Sequence, residues 1–176
     1  MIPFLANPAD TAWFACLGLP LGGTDHRDAR AYVHALGYAE DTALAGVASW
    51  KEAERITREP AWDRRWWTRE EAERERLMGL ATATLGRAVL LDRLGAATEL
   101  ASEAIHGAAA IAAERDGVAD AALVRAASGA ATMALHEVAL ARLAGQGSDH
   151  LFVRKYALFE AGRWPLGAVH SVFYLF

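Results

Sequence analysis

The order of apolar and polar positions predicts helices along most of the chain. Three long helices are expected at its centre, over residues 68–94, 97–115 and 119–143, and the last two are rich in alanine. Small side chains let helix axes approach closely, and short connections favour antiparallel neighbours. The sequence therefore predicts an all-α domain, a helical bundle of about six or seven helices with an interior of dry contacts between apolar side chains.

Shorter helices are predicted before this bundle from their capping residues. Asn7 followed by Pro8 indicates a helix over residues 7–17, and a second is expected over residues 24–36. Asp41 is expected to begin a third. Ser49 and Glu52 have the spacing of a capping box, which indicates a further helix that reaches about residue 58.

Similar signals predict the ends of the later helices. Thr68 and Glu71 form a second capping box, so the first long helix is expected to begin there, and Gly95 is its predicted C-terminal cap. Ser148 or Asp149 is the predicted cap of a last helix, which Gly162 ends.

The end of the sequence is predicted to form strands. Residues 169–176 are rich in β-branched and aromatic side chains, and His170 with Ser171 is suited to a two-residue turn. An isolated hairpin is unstable in water, so this C-terminal β-hairpin tail is expected to pack on the helices.

Length and composition favour one domain over residues 1–176, made of short helices (1–67), a long-helix core (68–145) and a C-terminal helix with its tail (146–176). The net charge of −4 lacks the positive field of a general nucleic-acid binder. Cys16 is the single cysteine, and no leader or membrane-spanning stretch is recognised. A cytoplasmic protein without a membrane role is therefore expected, and a homo-oligomer is compatible with the sequence.

Residues 51–76 combine tryptophans with eight basic and eight acidic side chains, so the local net charge is zero. Glu70 and Arg74 have the spacing of a stabilising pair on an exposed helix. The tryptophans are interpreted as bracing the turn before the long helix or as a surface for a protein partner, since Trp and Arg dominate such surfaces. The residues predicted to bind the partner are Trp62, Arg65, Trp66 and Trp67.

A metal or acid–base site inside the bundle is the alternative. The Glu-x-x-His spacing of Glu103 and His106 is half of a carboxylate-bridged di-metal motif, but the second half is missing. Across an antiparallel pair of helices, the candidate ligands or catalytic groups are Glu99, Glu103, His106, His136 and Glu137. A third possibility is a small-molecule pocket lined by Met78, Met133 and the tryptophans.

No nucleophile elbow, phosphate loop, zinc-finger spacing or dinucleotide motif occurs, so no catalytic residue and no cofactor is predicted. The segment VRAASGAATMALHEVALARLAG, together with ASEAIHGAAAIAAE before it, resembles the helices of all-α immunity proteins of bacterial polymorphic toxin systems. This resemblance implies a non-catalytic protein that blocks a toxin by binding it. The sequence thus favours a protein-binding helical module of an inhibitory or accessory kind over an enzyme.

Overall fold

Six helices and three short strands make up the described part of the chain, residues 11–176, in a computed structural model. They follow one another as α1 (Gly23–Ala35), β1 (Ala43–Gly46), α2 (Trp50–Thr57), α3 (Arg64–Leu85), α4 (Arg87–Arg115), α5 (Ala121–Leu143), α6 (Leu151–Glu160), β2 (Pro165–Val169) and β3 (Val172–Leu175). This arrangement confirms the predicted helical bundle with a short β tail. None of the described helices combines the length and apolar character needed to cross a membrane.

Alanine explains the close packing of the two longest helices. Helices α4 and α5 pack against each other, and buried residues recur on the facing sides at spacings of three or four. They are Ala101, Ile105 and Ala109 on α4, and Ala127, Ala131 and Ala134 on α5. Helix α6 packs on α5, and α1 packs on α6, so α5 and α6 lie at the centre of the bundle.

Several helix ends differ from the prediction. The first long helix was predicted to begin at Thr68, and this is wrong. Helix α3 begins about one turn earlier, because the carboxylate of Asp63 caps it by accepting a hydrogen bond from the Arg65 amide at 2.9 Å. The stop at Gly95 is also wrong. Gly86, with φ of +79°, separates α3 from α4, and Gly95 lies inside α4. By contrast, Ser49 caps α2 as predicted, accepting from the Glu52 amide at 3.3 Å.

The helix predicted over residues 7–17 lies partly outside the described residues, which begin at Thr11. Residues 13–18 form turns, so the helical prediction is wrong for this part. Phe14 has a φ of +59°, and the Cys16 amide donates to the Gly162 carbonyl at 3.2 Å. Contacts with the end of α6 therefore replace the hydrogen bonds of a helix.

The helix predicted from Asp41 is also wrong, because residues 43–46 form β1. This strand pairs in parallel with β3, placing Ala43 opposite Val172, and β3 pairs antiparallel with β2. The strand order is β1-β3-β2. The predicted hairpin turn is confirmed, since His170 and Ser171 have φ values of +47° and +65°.

Candidate functional site

A cavity of about 380 Å³ lies between α3, α5, α6 and β2. Its walls are mainly aromatic and apolar, formed by Trp62, Trp66, Trp67, Met133, Phe159 and Trp164. Two of these side chains form its rim, since Trp67 is 55% exposed and Met133 is 42% exposed. We call this space the tryptophan cavity.

The start of α3 is fixed on β2, which sets the tryptophan wall in place. The Trp62 indole Nε1 donates to the Leu166 carbonyl at 2.9 Å, and the Asp63 amide donates to the Ala168 carbonyl at 2.8 Å. Gly167 between them has a φ of +103°, and a Cβ there would lie 2.6 Å from the Trp66 ring. The strand therefore needs glycine so that the Trp62 and Trp66 rings can rest on its backbone.

Four charged side chains from three helices form a cluster below the tryptophan wall, in which Glu70, Glu137 and Lys155 are buried and Arg74 is partly exposed. Lys155 Nζ donates to Glu70 Oε2 at 2.7 Å and to Glu137 Oε2 at 2.9 Å. Arg74 Nη1 donates to the second oxygen of Glu137 at 2.7 Å. Glu70, Arg74, Glu137 and Lys155 are here called the charge cluster, and their formal charges cancel.

Hydrogen bonds join this cluster to the aromatic wall. The Tyr32 hydroxyl donates to Glu70 Oε1 at 2.6 Å and accepts from Trp66 Nε1 at 2.6 Å. Lys155 Nζ also lies 5.7 Å from the centre of the Trp66 ring. Every carboxylate oxygen of the cluster thus has a donor, which is the condition for burying charge without a large loss of stability.

Burial and the charge of the ion-pair partner have opposite effects on the pKa values of Glu137 and Lys155. Burial raises the pKa of Glu137, and the neighbouring Lys155 limits that rise. Burial alone would lower the pKa of Lys155, but the carboxylates of Glu70 and Glu137 outweigh it and raise that pKa. Burial, aided by the charge of Glu70, raises the pKa of Tyr32 well above its usual value. Lysine and tyrosine therefore keep their protons at neutral pH.

This cluster corrects two expectations. The predicted exposed pair of Glu70 and Arg74 is wrong, because Glu70 is 4% exposed and the two side chains bind partners on other helices. The expected dry apolar interior is also wrong, since Glu137 is fully buried. One sequence signal could have located the cluster: Lys155 lies on the apolar face of α6, one turn from Leu151 and Phe159.

The four predicted partner-binding residues do not share one surface. Trp62, Trp66 and Trp67 line the tryptophan cavity, whereas Arg65 lines a separate depression beside Thr68 and Arg76. The Arg65 guanidinium lies 2.7 Å from the Asp63 carboxylate. Trp62 and Trp66 also brace the start of α3, as one of the two interpretations of these tryptophans predicted.

Nor does the structure bring the metal and acid–base candidates together. Glu99 and Glu103 are exposed on α4, and Glu137 belongs to the charge cluster. His106 and His136 line an open groove that none of these three carboxylates lines. Among residues 11–176, no three His, Cys, Asp or Glu side chains come together as a metal-binding group.

The predicted small-molecule pocket corresponds in part to the tryptophan cavity. Met133 and the tryptophans line it, but Met78 does not and packs against a different part of the core. No local sequence pattern indicates that Phe159, Trp164 and Leu166 complete the wall, because α6 and β2 are distant from α3 in the chain.

Comparison with known proteins gives no match: no family model fits the chain, and no curated protein or solved structure is significantly similar to it.

Proposed function

We propose that this protein is a non-catalytic binding module whose tryptophan cavity receives an apolar side chain of a protein partner. The observation that carries this proposal is the combination of an aromatic wall with a floor whose charges are already paired. Because Glu70, Arg74 and Lys155 are bonded within the molecule, the cavity offers mainly aromatic carbon to an incoming group. Apolar contact is then the main source of affinity.

The size and rim of the cavity also support this proposal. At about 380 Å³ it is near the lower end of ligand-binding cavities, roughly 300–1,000 Å³, and so suits a single bulky side chain. Trp67 and Met133 are exposed at the rim and would lose that exposure when a partner covers them. Tryptophan is enriched among residues that dominate the affinity of protein interfaces.

In this proposal the chain inhibits or escorts its partner in the cytoplasm. The suggestion that the partner is a toxin depends on the resemblance of the alanine-rich helices to immunity proteins. The balanced charges of residues 51–76 favour a protein over a nucleic acid as the partner.

Site-specific photocrosslinking in the source organism tests this proposal. A photoreactive phenylalanine derivative replaces Trp67 in one variant and Ile111 in a control, because Ile111 is 69% exposed on α4 and lines neither the cavity nor the groove. We expect a discrete protein adduct from position 67 that is missing at position 111. Identical adducts at both positions, or none at position 67, would contradict the proposal.

The partner identified in this way then permits a quantitative test. We expect Trp67→Ala to weaken its affinity by about 30-fold, which is about 2 kcal/mol and the size of an interface hot spot. Ile111→Ala should leave the dissociation constant unchanged. Thermal unfolding of both variants shows whether the fold is intact.

A small molecule is the second candidate for the cavity. The supporting observation is continuity: the cavity and the adjoining groove between α4 and α5 share Arg74, Gly129 and Met133. Tryptophan fluorescence distinguishes the two, since a small ligand would quench the emission of the purified protein without any partner present.

A further inference from the structure

An open groove of about 690 Å³ runs between α4 and α5, beside the tryptophan cavity. Polar side chains spaced along both helices line it, namely Thr98, Ser102 and His106 on α4 and Arg125, Ser128 and His136 on α5. Arg74 of α3 lines it as well. No aspartate or glutamate is among the residues that line the groove in the described part of the chain.

Arg74 is paired with Glu137, but the other basic side chains of this groove are largely free of partners. The guanidinium of Arg125 makes no hydrogen bond or ion pair within residues 11–176, and neither does the imidazole of His136. His106 has one long contact, 3.4 Å from its Nδ1 to the Ser128 hydroxyl. In a protein of net charge −4, basic groups from both walls therefore face a space without a compensating carboxylate.

The serine hydroxyl groups of the groove can turn toward a ligand with little loss of hydrogen bonding. Ser102 donates to the Glu99 carbonyl and Ser128 donates to the Arg125 carbonyl, both at 3.3 Å, which is long for a hydroxyl donor. Rotation of either hydroxyl toward a ligand oxygen would give up only a weak bond. Donors on two facing helices can thus surround an anion from both sides.

We propose that this groove binds an organic phosphate monoester, whose phosphate oxygens contact Arg125 and His106. A guanidinium matches two phosphate oxygens at once, and donors on the opposite wall can reach a third. The organic part of the ester lies toward Met133, which the groove shares with the tryptophan cavity. This proposed phosphate site is independent of the proposed binding of a protein partner in the tryptophan cavity.

The binding test uses inorganic phosphate and phenyl phosphate as probes, followed through the NMR signals of the His106 and His136 rings at low ionic strength. We expect both probes to bind, and phenyl phosphate to bind more tightly because its ring contacts the apolar end of the groove. Arg125→Ala should weaken binding by about tenfold or more, as expected for loss of a charge-assisted hydrogen bond. Arg93→Ala is the matched control, because Arg93 is an exposed arginine of α4 outside the groove.

Three results would overturn the proposal. The first is that neither phosphate probe shifts the histidine signals. The second is that Arg125→Ala and Arg93→Ala weaken binding equally, which would indicate a diffuse effect of charge. Equal affinity for inorganic phosphate and phenyl phosphate would assign the groove to the free ion and exclude the ester.

Discussion

Replacing Lys155 by methionine is the sharpest test of the charge cluster, because methionine is unbranched and nearly as long as lysine but lacks the ammonium group, with its charge and its hydrogen bonds. Lys155 is 7% exposed on its side chain, and its Nζ lies 2.7 Å from Glu70 and 2.9 Å from Glu137. Without it, two buried carboxylates share one remaining cation, Arg74. The variant therefore carries an uncompensated negative charge in the core.

The expected loss depends on pH because a carboxyl group can take up a proton. Removal of one partner from a buried ion pair costs about 3–5 kcal/mol. Protonation of a glutamate with the usual pKa of 4.5 costs about 4.8 kcal/mol at pH 8 but about 1.4 kcal/mol at pH 5.5, at about 1.36 kcal/mol per unit. We therefore expect a loss of about 3–5 kcal/mol at pH 8 and about 1.5–2 kcal/mol at pH 5.5.

The direction of this pH dependence follows from the linkage between proton binding and folding. In the variant, a carboxyl pKa that is higher in the folded state than in the unfolded state makes proton uptake favour folding. The free energy of unfolding of Lys155→Met should therefore approach that of the wild type as pH falls from 8 to 5.5. Urea unfolding followed by circular dichroism at both pH values measures it.

Two further variants isolate the cause. Lys51→Met removes the exposed lysine of α2 and should change stability by less than about 0.5 kcal/mol. Lys155→Met combined with Glu70→Gln leaves Glu137 paired with Arg74, so it should recover most of the loss at pH 8. A loss below about 1 kcal/mol for Lys155→Met at pH 8, or the same loss at both pH values, would refute this account of the core.

Two other predictions concern the start of α3. Gly167→Ala should destabilise the protein by about 2–4 kcal/mol, because a Cβ would lie 2.6 Å from the Trp66 ring at a φ of +103°, whereas Gly147→Ala has nothing within 4 Å and should be nearly neutral. Equal melting temperatures for the two alanine variants would contradict this. Asp63→Asn should make stability less sensitive to acid, because the hydrogen bond from Arg65 lowers the pKa of Asp63 from 3.8 to about 2. Ionised Asp63 stabilises the fold above about pH 4, and this contribution is lost as pH falls toward 2. Parallel urea unfolding curves at pH 5 and pH 2.5 check this, and an unchanged pH dependence in Asp63→Asn would show that the ion pair adds nothing.

Local interactions explain why much of the fold could be predicted. The helical bundle follows from alanine-rich periodicity, the cap at Ser49 from its own side chain, and the hairpin turn from the residues that form it. Each depends on neighbours within a few positions. Such local signals predicted the wrong structure where contacts between distant parts of the chain decide it. Residues 43–46 were predicted to be helical but form β1, because β3 lies beside them.

The candidate site was predicted only in part, for a related reason. The sequence by itself determined that residues 62–67 carry an unusual concentration of tryptophan and that His106 and His136 lie on adjacent helices. Tertiary structure decided that Lys155 would meet Glu70 and Glu137, and that Arg65 would face away from the cavity. Periodicity shows which residues share one face of a helix. It does not show which faces meet, because that is set by how α3, α5 and α6 pack around one another.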